Sequence, residues 1–323
     1  MIISKTPLRI SFFGGGTDLA EYYLQEKGMV VSTSIDKYIY ITVNKRFDDT
    51  IRISYSKTEI VNSIDEIQHP IIKEAMKLVG IYKGIEITSI ADIPAKTGLG
   101  SSSSFTVGLL NALYAYKGIF VDSETLARQS CEIEINILKE PIGKQDQYAA
   151  AYGGINHIQF NDDETVFVNP IICSKETKEY LNKNLLLFYT GITRSAGEVL
   201  NEQKTNTAKK MDNLNKMKLL TQEFQKVLID GKNLSRIGHM LHESWILKRS
   251  LSNKISNNFI DETYDSALQN GAIGGKILGA GGGGFLLFYC EPHNHLKLIN
   301  KLSNLEVIDF KFEPQGSKII FVD

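Results

Sequence analysis

The sequence has 323 residues with a formal net charge of −1 at pH 7, and 42% of its residues are hydrophobic and 23% charged. These values are typical of a folded soluble protein with one large domain or two moderate ones. The balanced charge excludes a general electrostatic affinity for nucleic acid, so an anion must be bound by a local site. The cysteines are widely separated and form no CxxC pair, which favours a reducing compartment.

Hydrophobic patterns and turn residues predict the elements of the first half. In chain order these are a strand over 1–13, a glycine turn at 14–16, a helix start at Thr17 and Asp18, hairpin strands over 29–46, a helix over 70–80, a strand over 85–90, helices over about 102–116 and 123–138, a break at Pro141, a short helix over 145–151 and a strand over 155–160.

The segment 161–184 is the best candidate for a domain boundary, because it combines a charged turn, Pro170 and mixed polarity. Beyond it we predict a strand over 185–189, mainly helix over 196–270, strands over 276–278 and 285–289, a helix near 293–302 and strands over 306–312 and 317–322. The predicted fold class is α+β with two lobes, residues 1–172 and residues 173–323.

The most informative segment is a glycine turn followed by four serines and an apolar helical run. It reads Pro94-Ala-Lys-Thr-Gly98-Leu-Gly100-Ser-Ser-Ser-Ser104 and continues into a helix. Glycines let the backbone approach a ligand closely, and the free amides at a helix start favour an anion such as phosphate. Serines are also common helix caps, but two further glycine clusters at 14–16 and 279–284 favour a binding site.

Other glycine-rich phosphate sites fit less well. A P-loop is excluded because no segment has the GxxxxGK pattern, and the motifs of protein kinases are absent. A Rossmann site remains a weaker alternative, with Gly98-x-Gly100-x-x-Ser103 followed by Asp122. Seven residues separate the preceding strand from Gly98, however, where a dinucleotide fingerprint needs a tight turn.

Three motifs together resemble those of the GHMP kinases, and they occur in the order typical of that superfamily. They are Pro7-Leu-Arg-Ile-Ser-Phe12 with Gly14-Gly-Gly-Thr-Asp18, then Pro94 to Ser102, then Lys276 with Gly279-Ala-Gly-Gly-Gly-Gly284. Within the superfamily the sequence is most similar to the sugar kinases that act on D-glycero-D-manno-heptose 7-phosphate. Further matching segments are Gly143-Lys-Gln-Asp-Gln147, Tyr148-Ala-Ala-Ala-Tyr-Gly-Gly154, Thr190-Gly-Ile-Thr-Arg194 and Gly274-Gly-Lys276.

The resemblance implies an N-terminal lobe with the first two motifs, a ferredoxin-like C-terminal lobe with the third, and substrates between them. It implies transfer of the γ-phosphoryl group of ATP to O1 of the heptose phosphate, giving a 1,7-bisphosphate for GDP-heptose synthesis. It also implies that ATP is held by the loop and helix start, namely Gly98, Leu99, Gly100, Ser101, Ser102, Ser103 and Ser104.

The expected cofactor is Mg²⁺, with Ser102 as a ligand by match to the motif. A hard cation also needs a carboxylate, and the motif register favours Glu134 over its neighbour Glu132. The resemblance identifies Asp146 as the catalytic residue that orients the attacking hydroxyl and accepts its proton, although an Asp at this place could also be a helix cap. Arg9 is expected to stabilise the transferred phosphoryl group or hold Asp146 ionised.

For the sugar we predict contacts with the first glycine turn and with the third cluster. Asp18 is expected to accept hydrogen bonds from hydroxyls, and the absence of the Glu-His pair of galactokinases disfavours galactose. The full set of predicted substrate-binding residues is Gly15, Gly16, Thr17, Asp18, Lys144, Arg194, Gly281 and Gly282, with Lys248 and Arg249 as further candidates for the substrate's own phosphate.

The expected partners are ATP and a small sugar phosphate, with no nucleic acid and no membrane, and a homodimer is a compatible assembly. The sequence shows no signal peptide or apolar run of membrane length, so we expect a cytoplasmic protein. Two other functions stay open. One is a kinase for another sugar such as fucose, and the other is a sugar-binding regulator without turnover, which the complete set of Arg9, Ser102, Glu134 and Asp146 argues against.

Overall fold

A computed structural model describes residues 1–193 and 196–323 of the chain. The elements of the first half are β1 (Ile2–Phe13), α1 (Ala20–Tyr23), β2 (Gly28–Lys45), β3 (Ile51–Ser54), β4 (Thr58–Val61), α2 (Pro70–Val79), β5 (Ile85–Ala91), α3 (Ser101–Tyr116), α4 (Ser123–Cys131), a π-helical segment (Glu132–Ile137), α5 (Gln145–Tyr152), β6 (Ile155–Phe160) and β7 (Val166–Pro170).

The second half is mainly helical over 196–270, as predicted. Its elements are α6 (Lys175–Lys183), β8 (Leu185–Tyr189), α7 (Ala196–Asn206), α8 (Met211–Asp230), α9 (Arg236–Arg249), α10 (Asn258–Gln269), β9 (Ala272–Ile277), β10 (Phe285–Cys290), α11 (His295–Lys301), β11 (Glu306–Val307) and β12 (Lys318–Val322).

The described strands form two sheets. The first follows the order β12-β1-β2-β5-β3-β4, and β6 pairs with both β2 and β7. Its pairings are antiparallel except that of β3 with β5. The second sheet has the antiparallel order β11-β8-β10-β9. Two sheets with helices packed on them confirm the predicted α+β class.

The predicted hairpin over 29–46 is wrong, because this segment is one strand, β2. Its register with β1 jumps between the pairs Pro7–Tyr38 and Leu8–Ile35, so Asp36 and Lys37 form a bulge rather than a turn. A hairpin and a long strand share the two-residue period, and no glycine or proline interrupts this segment to end the strand. The first part of β2 pairs with β6 and the last part with β5.

Other differences concern short edge elements. Strands β3, β4 and β7 were not predicted, and the strand expected over 306–312 contains only β11. The helix predicted over 123–138 is α4 followed by the π-helical segment Glu132–Ile137. Such short elements carry too few residues for a clear period.

The two halves meet where β1 ends. The ring of Phe224, on α8, lies 5.3 Å from the ring of Phe12 and 4.6 Å from that of Phe13. Beside them, the buried Lys276 of β9 donates a 2.8 Å hydrogen bond from Nζ to the carbonyl oxygen of Phe12. These contacts fix the second half against the strand that enters the first glycine turn.

The last strand returns to the first sheet, where β12 pairs with β1. A strand from the second predicted lobe therefore belongs to the sheet of the first lobe. The predicted boundary at 172/173 stays a prediction. Across the described ranges, no helix combines the length and the apolar character that crossing a membrane requires.

Candidate functional site

A cavity of about 970 Å³ lies between the two halves. Most of the predicted motifs meet at its wall. The lining residues that the argument uses are Arg9, Gly15, Gly16, Asp18, Gly98, Gly100, Ser101, Ser102, Ser103, Glu134, Asp146, Gln203, Lys248 and Gly279. We call Gly98–Ser103 the loop end of the cavity, and Gly15–Asp18 with Leu200 and Gln203 the turn end.

The loop end is shaped by glycines in the left-handed region. Gly98 has φ +87° and Gly100 has φ +77°, and α3 begins directly after Gly100. A Cβ atom on Gly98 would stand 2.5 Å from the carbonyl oxygen of Leu278, and one on Gly279 would stand 2.5 Å from Cα of Gly98. The third glycine cluster therefore packs directly against this loop, because side chains there would separate the two backbones.

The residues of this segment divide between the cavity and the interior. Ser101, Ser102 and Ser103 line the cavity at the first turn of α3. Leu99 is fully buried, and Ser104 donates a 2.8 Å hydrogen bond to the carbonyl oxygen of Pro7. Leu99 and Ser104 were predicted to be among the ATP-binding residues, but their side chains point into the interior and fix the loop there.

Glu134 is buried at the loop end and is hydrogen-bonded there. Its Oε1 accepts a 2.8 Å bond from Ser102 Oγ, and its Oε2 accepts a 2.7 Å bond from Gln147 Nε2. Burial raises the pKa of Glu134 to about 7, although the hydrogen bonds from Ser102, Ser103 and Gln147 oppose the shift. Glu132 is exposed and accepts a hydrogen bond from Asn136, so Glu134 is the one of these two glutamates that lines the cavity.

Asp146 and Arg9 form a bidentate ion pair beside the loop end. Arg9 Nε and Nη2 donate to the two carboxylate oxygens of Asp146 at 2.8 Å each. Arg9 Nη1 also donates to the carbonyl oxygen of Gly98 at 2.6 Å. Arg9 is 4% exposed, whereas the Asp146 side chain is 28% exposed and opens into the cavity. The guanidinium thus fixes a carboxylate that a ligand can reach.

Asp18 anchors the turn end. Its Oδ1 accepts a 2.8 Å hydrogen bond from the amide of Gly16, and its Oδ2 accepts a 3.4 Å bond from the amide of Gln145, next to Asp146. Burial raises the pKa of Asp18, and the nearby charge of Asp146 raises it further. Gly15 and Gly16 also line the cavity. Thr17 is fully buried, with its Oγ1 2.8 Å from the carbonyl oxygens of Gly14 and Met29, so it holds the turn.

The lysine and arginine residues predicted to bind the substrate differ in their position relative to the cavity. Lys144 Nζ donates to the carbonyl oxygen of Glu164 at 3.2 Å and lies over the ring of Tyr23, and it does not line the cavity. Arg249 pairs with Asp261 at 3.2 Å, also outside the lining. The Arg194 prediction falls on a residue outside the described ranges.

Among the described residues of the second half, Lys248 is the cation that lines the cavity. It is buried, and its Nζ donates a hydrogen bond to the carbonyl oxygen of Gly279. Burial lowers its pKa to about 8, the charge of Arg9 lowers it further, and the charges of Asp18 and Asp146 act in the opposite direction. In the third cluster, Gly281 lines the cavity, whereas the amide of Gly282 donates to the carbonyl oxygen of Ile255 at 2.8 Å.

Two features of the cavity were missed from the sequence. Tyr55, His69 and Phe105 form an aromatic cluster beyond the loop end, with ring separations of 4.8 Å and 5.1 Å. Gln203, from α7, contributes to the turn end. No sequence motif links the residues of either feature, because they belong to distant elements that come together only in the folded chain.

Comparison with known proteins identifies the family. The model of the GHMP kinase N-terminal domain matches residues 68–154, and that of the C-terminal domain matches residues 220–305. A D-glycero-alpha-D-manno-heptose 7-phosphate kinase from Campylobacter jejuni is 30% identical over 336 residues, which cover 98% of each chain. The chain belongs to the GHMP kinases. The chain is therefore a phosphotransferase that acts on a sugar hydroxyl.

Two further relatives agree with this family. The crystal structure described as a D-glycero-D-manno-heptose 1-phosphate kinase from Bacteroides thetaiotaomicron matches this GHMP kinase with a TM-score of 0.84 and 26% identity, covering 100% of each chain. An L-fucokinase/L-fucose-1-P guanylyltransferase from Bacteroides fragilis is 26% identical, and the match spans 94% of this chain but only 36% of that protein.

Proposed function

We propose that this GHMP kinase transfers the γ-phosphoryl group of ATP to the O1 hydroxyl of D-glycero-D-manno-heptose 7-phosphate. The product would be the 1,7-bisphosphate, an intermediate of GDP-heptose biosynthesis. The observation that carries the proposal is the Arg9–Asp146 ion pair, which lies between the loop end and the turn end of one cavity. The similarity to the heptose kinase from Campylobacter jejuni, over nearly the full length of both chains, supports the choice of sugar.

The loop end is the proposed site of the ATP phosphates. The first amides of α3 have no partner within the helix, and no side chain of the N-cap residue, Gly100, caps them. The positive end of the helix dipole and the hydroxyls of Ser101–Ser103 favour the β- and γ-phosphates there. The adenine would then lie toward Tyr55, His69 and Phe105, because these rings line the same cavity beyond the loop.

The residues at the loop end also fit Mg²⁺. A hydroxyl and a carboxylate 2.8 Å apart, Ser102 Oγ and Glu134 Oε1, are oxygen donors of the kind that Mg²⁺ prefers, with phosphate oxygens and water to complete its shell. Burial of Glu134 disfavours its charge, and a cation would offset that cost. When bound, Mg²⁺ would neutralise charge on the β- and γ-phosphate oxygens.

Asp146 would orient the acceptor hydroxyl. In phosphoryl transfer the hydroxyl oxygen bonds to the γ-phosphorus while the bond from that phosphorus to the β,γ-bridging oxygen breaks. Asp146 accepts the hydroxyl proton, and its bidentate ion pair with Arg9 fixes the position of the carboxylate for that role. Arg9 and Lys248 supply positive charge beside the transferred group.

The turn end would hold the sugar. Asp18 accepts hydrogen bonds from sugar hydroxyls, and Gly15, where an added Cβ would meet no atom closer than 3.6 Å, leaves space for a seven-carbon sugar. Arg194 is the proposed partner of the substrate's own phosphate. We also propose a cytoplasmic location, where ATP and sugar phosphates are both present, and a homodimer as the assembly.

A panel of acceptors tests the proposal. Purified protein with ATP and Mg²⁺ is given heptose 7-phosphate, heptose 1-phosphate, L-fucose and galactose, and ADP release is measured. We expect the highest kcat/KM on heptose 7-phosphate and a new anomeric phosphate signal in the ³¹P NMR spectrum of the product. Preference for L-fucose, or phosphate on a carbon other than C1, would contradict the proposal, and no ADP release with any acceptor would favour a binding protein.

A further inference from the structure

The side chain of Gln203 is buried in the cavity wall with an unused hydrogen-bond donor. Gln203 is 4% exposed, and it lines the turn end. Its Nε2 has no hydrogen-bond partner among the described residues. A buried amide left without a partner destabilises the folded protein, so such groups usually have a purpose. Nε2 itself has almost no accessible surface in the free protein, so a bound ligand would supply the missing acceptor atom once the amide turns toward the cavity.

Gly16 makes the space that the Gln203 amide uses. A Cβ atom on residue 16 would stand 2.4 Å from Gln203 Nε2 and 3.2 Å from Leu214 Cδ2. Gly16 also has φ +108°, a backbone conformation that side chains disfavour. The glycine turn of the first motif therefore admits a side chain from the second half, rather than merely leaving empty room.

The Gln203 amide, a donor, and the Asp18 carboxylate, a buried acceptor, both lie beside Gly16. The amide of Gly16 donates to Asp18 Oδ1 at 2.8 Å, while Gln203 Nε2 lies against the position where a Cβ of Gly16 would be. Asp18 accepts hydrogen bonds, whereas the amide nitrogen of Gln203 donates them. A hydroxyl both donates and accepts, so neighbouring hydroxyls of a sugar match this pair.

The rest of the α7 wall contributes little polarity. Gly197 and Leu200 line the cavity from the same helix, each three residues from the next, and neither has a polar side chain. Gln203 is thus the polar contact that the described part of α7 brings to the turn end. Gln203 Nε2 lies against Gly16, whereas Gly98 packs against Leu278 and Gly279, so we assign this amide to the acceptor rather than to an ATP phosphate.

From these contacts we infer that Gln203 is a specificity-determining residue, which donates a hydrogen bond from its amide to a hydroxyl oxygen of the acceptor sugar. The inference rests on the proposed function, because it assigns the turn end to a sugar phosphate. It adds that α7, outside the family's sequence motifs, selects the acceptor together with Asp18.

The variant Gln203→Met tests this, because methionine keeps the length of the chain but removes both polar atoms. A neutral hydrogen bond contributes about 0.5–1.5 kcal/mol, so we expect KM for the acceptor to rise about 3- to 10-fold, with KM for ATP within twofold of wild type. The melting temperature without substrates should be equal or higher, since an unpaired buried amide is removed. Asn201→Met, on an exposed position of the same helix, should change neither KM.

The wild-type protein is measured first, with the acceptor panel described above, and KM is determined with the sugar or sugar phosphate it phosphorylates best. An unchanged acceptor KM in Gln203→Met, or equal increases of both KM values together with a lower melting temperature, would overturn the role of Gln203. Wild-type preference for an acceptor other than the heptose phosphate would overturn the proposed function but still test Gln203. A wild-type protein that phosphorylates no acceptor would overturn both.

Discussion

The loop end and the turn end of the cavity are built in different ways. The loop end consists of glycine backbone, a helix start and serines that follow one another in the sequence. The turn end joins Asp18 from the first half with Gln203 from α7. A phosphate can be held by backbone amides, which any sequence supplies, whereas a sugar is distinguished by individual side chains. Each end should therefore respond to its own set of substitutions.

The largest effect is expected for Asp146→Asn, which lies between the two ends. Asparagine keeps the shape of the side chain but cannot accept the hydroxyl proton, so kcat should fall by about 10² or more. The affinity for an ATP analogue, measured by titration calorimetry, should stay within a few-fold of wild type. The exposed Asp163→Asn serves as the control. Near-normal kcat would remove Asp146 from the chemistry.

The next effect belongs to the loop end alone. Glu134→Ala should raise the Mg²⁺ concentration for half-maximal activity by at least about tenfold, the lower figure for residues that support a metal site. The exposed Glu132→Ala should leave it unchanged. A shifted Mg²⁺ titration in Glu132→Ala instead would mean that Glu132, not Glu134, supports the metal.

The Mg²⁺ concentration for half-maximal activity should also depend on pH, in the direction set by the pKa of Glu134. Burial raises the pKa of Glu134 to about 7, so the carboxyl is ionised above that pH and protonated below it. Protons then compete with Mg²⁺, and the half-maximal Mg²⁺ concentration should rise about tenfold between pH 8 and pH 6. The rise should disappear in Glu134→Ala. An identical pH profile in both proteins would mean that another group titrates.

Substitution of two lysines tests which of them contributes to the reaction with the acceptor. Lys248 lines the cavity near Arg9, Asp18 and Asp146, whereas Lys144 bonds Glu164 away from it. Lys248→Met should lower kcat/KM for the acceptor about tenfold, the lower range for a lost hydrogen bond to a charged group. Lys144→Met should stay within twofold. The reverse order would restore the assignment made from the sequence.

The smallest effect concerns packing between the glycine clusters. Gly118 and Gly279 have φ of +72° and +69°, but a Cβ on Gly118 meets nothing within 4 Å, whereas one on Gly279 is 2.5 Å from Gly98 Cα. Gly118→Ala should cost about 1–2 kcal/mol of unfolding free energy from backbone strain. Gly279→Ala should cost more in urea unfolding and also raise KM for ATP. Equal costs with unchanged KM would show that the contact with the loop is unimportant.

The sequence predicted the loop end well, because glycines, serines and the helix start lie in one continuous segment. It also named Glu134 and Asp146, which the fold places at the cavity 2.8 Å from Ser102 Oγ and from two nitrogens of Arg9. Their roles stay proposals. The two-lobed α+β class followed from the order of helices and strands.

The turn end was predicted only in part, since its contacts join distant segments. Lys144 follows a glycine and precedes Asp146, yet it points to the carbonyl of Glu164. Gln203 has no neighbouring motif, and its proposed role depends on the missing Cβ of Gly16, 187 positions earlier in the sequence. The bulge at Asp36 and Lys37 was missed for a similar reason, because pairing with β1, not local sequence, keeps β2 continuous.

The most direct test is a crystal structure with a non-hydrolysable ATP analogue and heptose 7-phosphate bound together. The account predicts the β- and γ-phosphates at the start of α3, the C1 hydroxyl within about 3 Å of Asp146, and sugar hydroxyls between Asp18 and Gln203. A nucleotide seated at the turn end, or a sugar whose C1 hydroxyl faces away from Asp146, would contradict it.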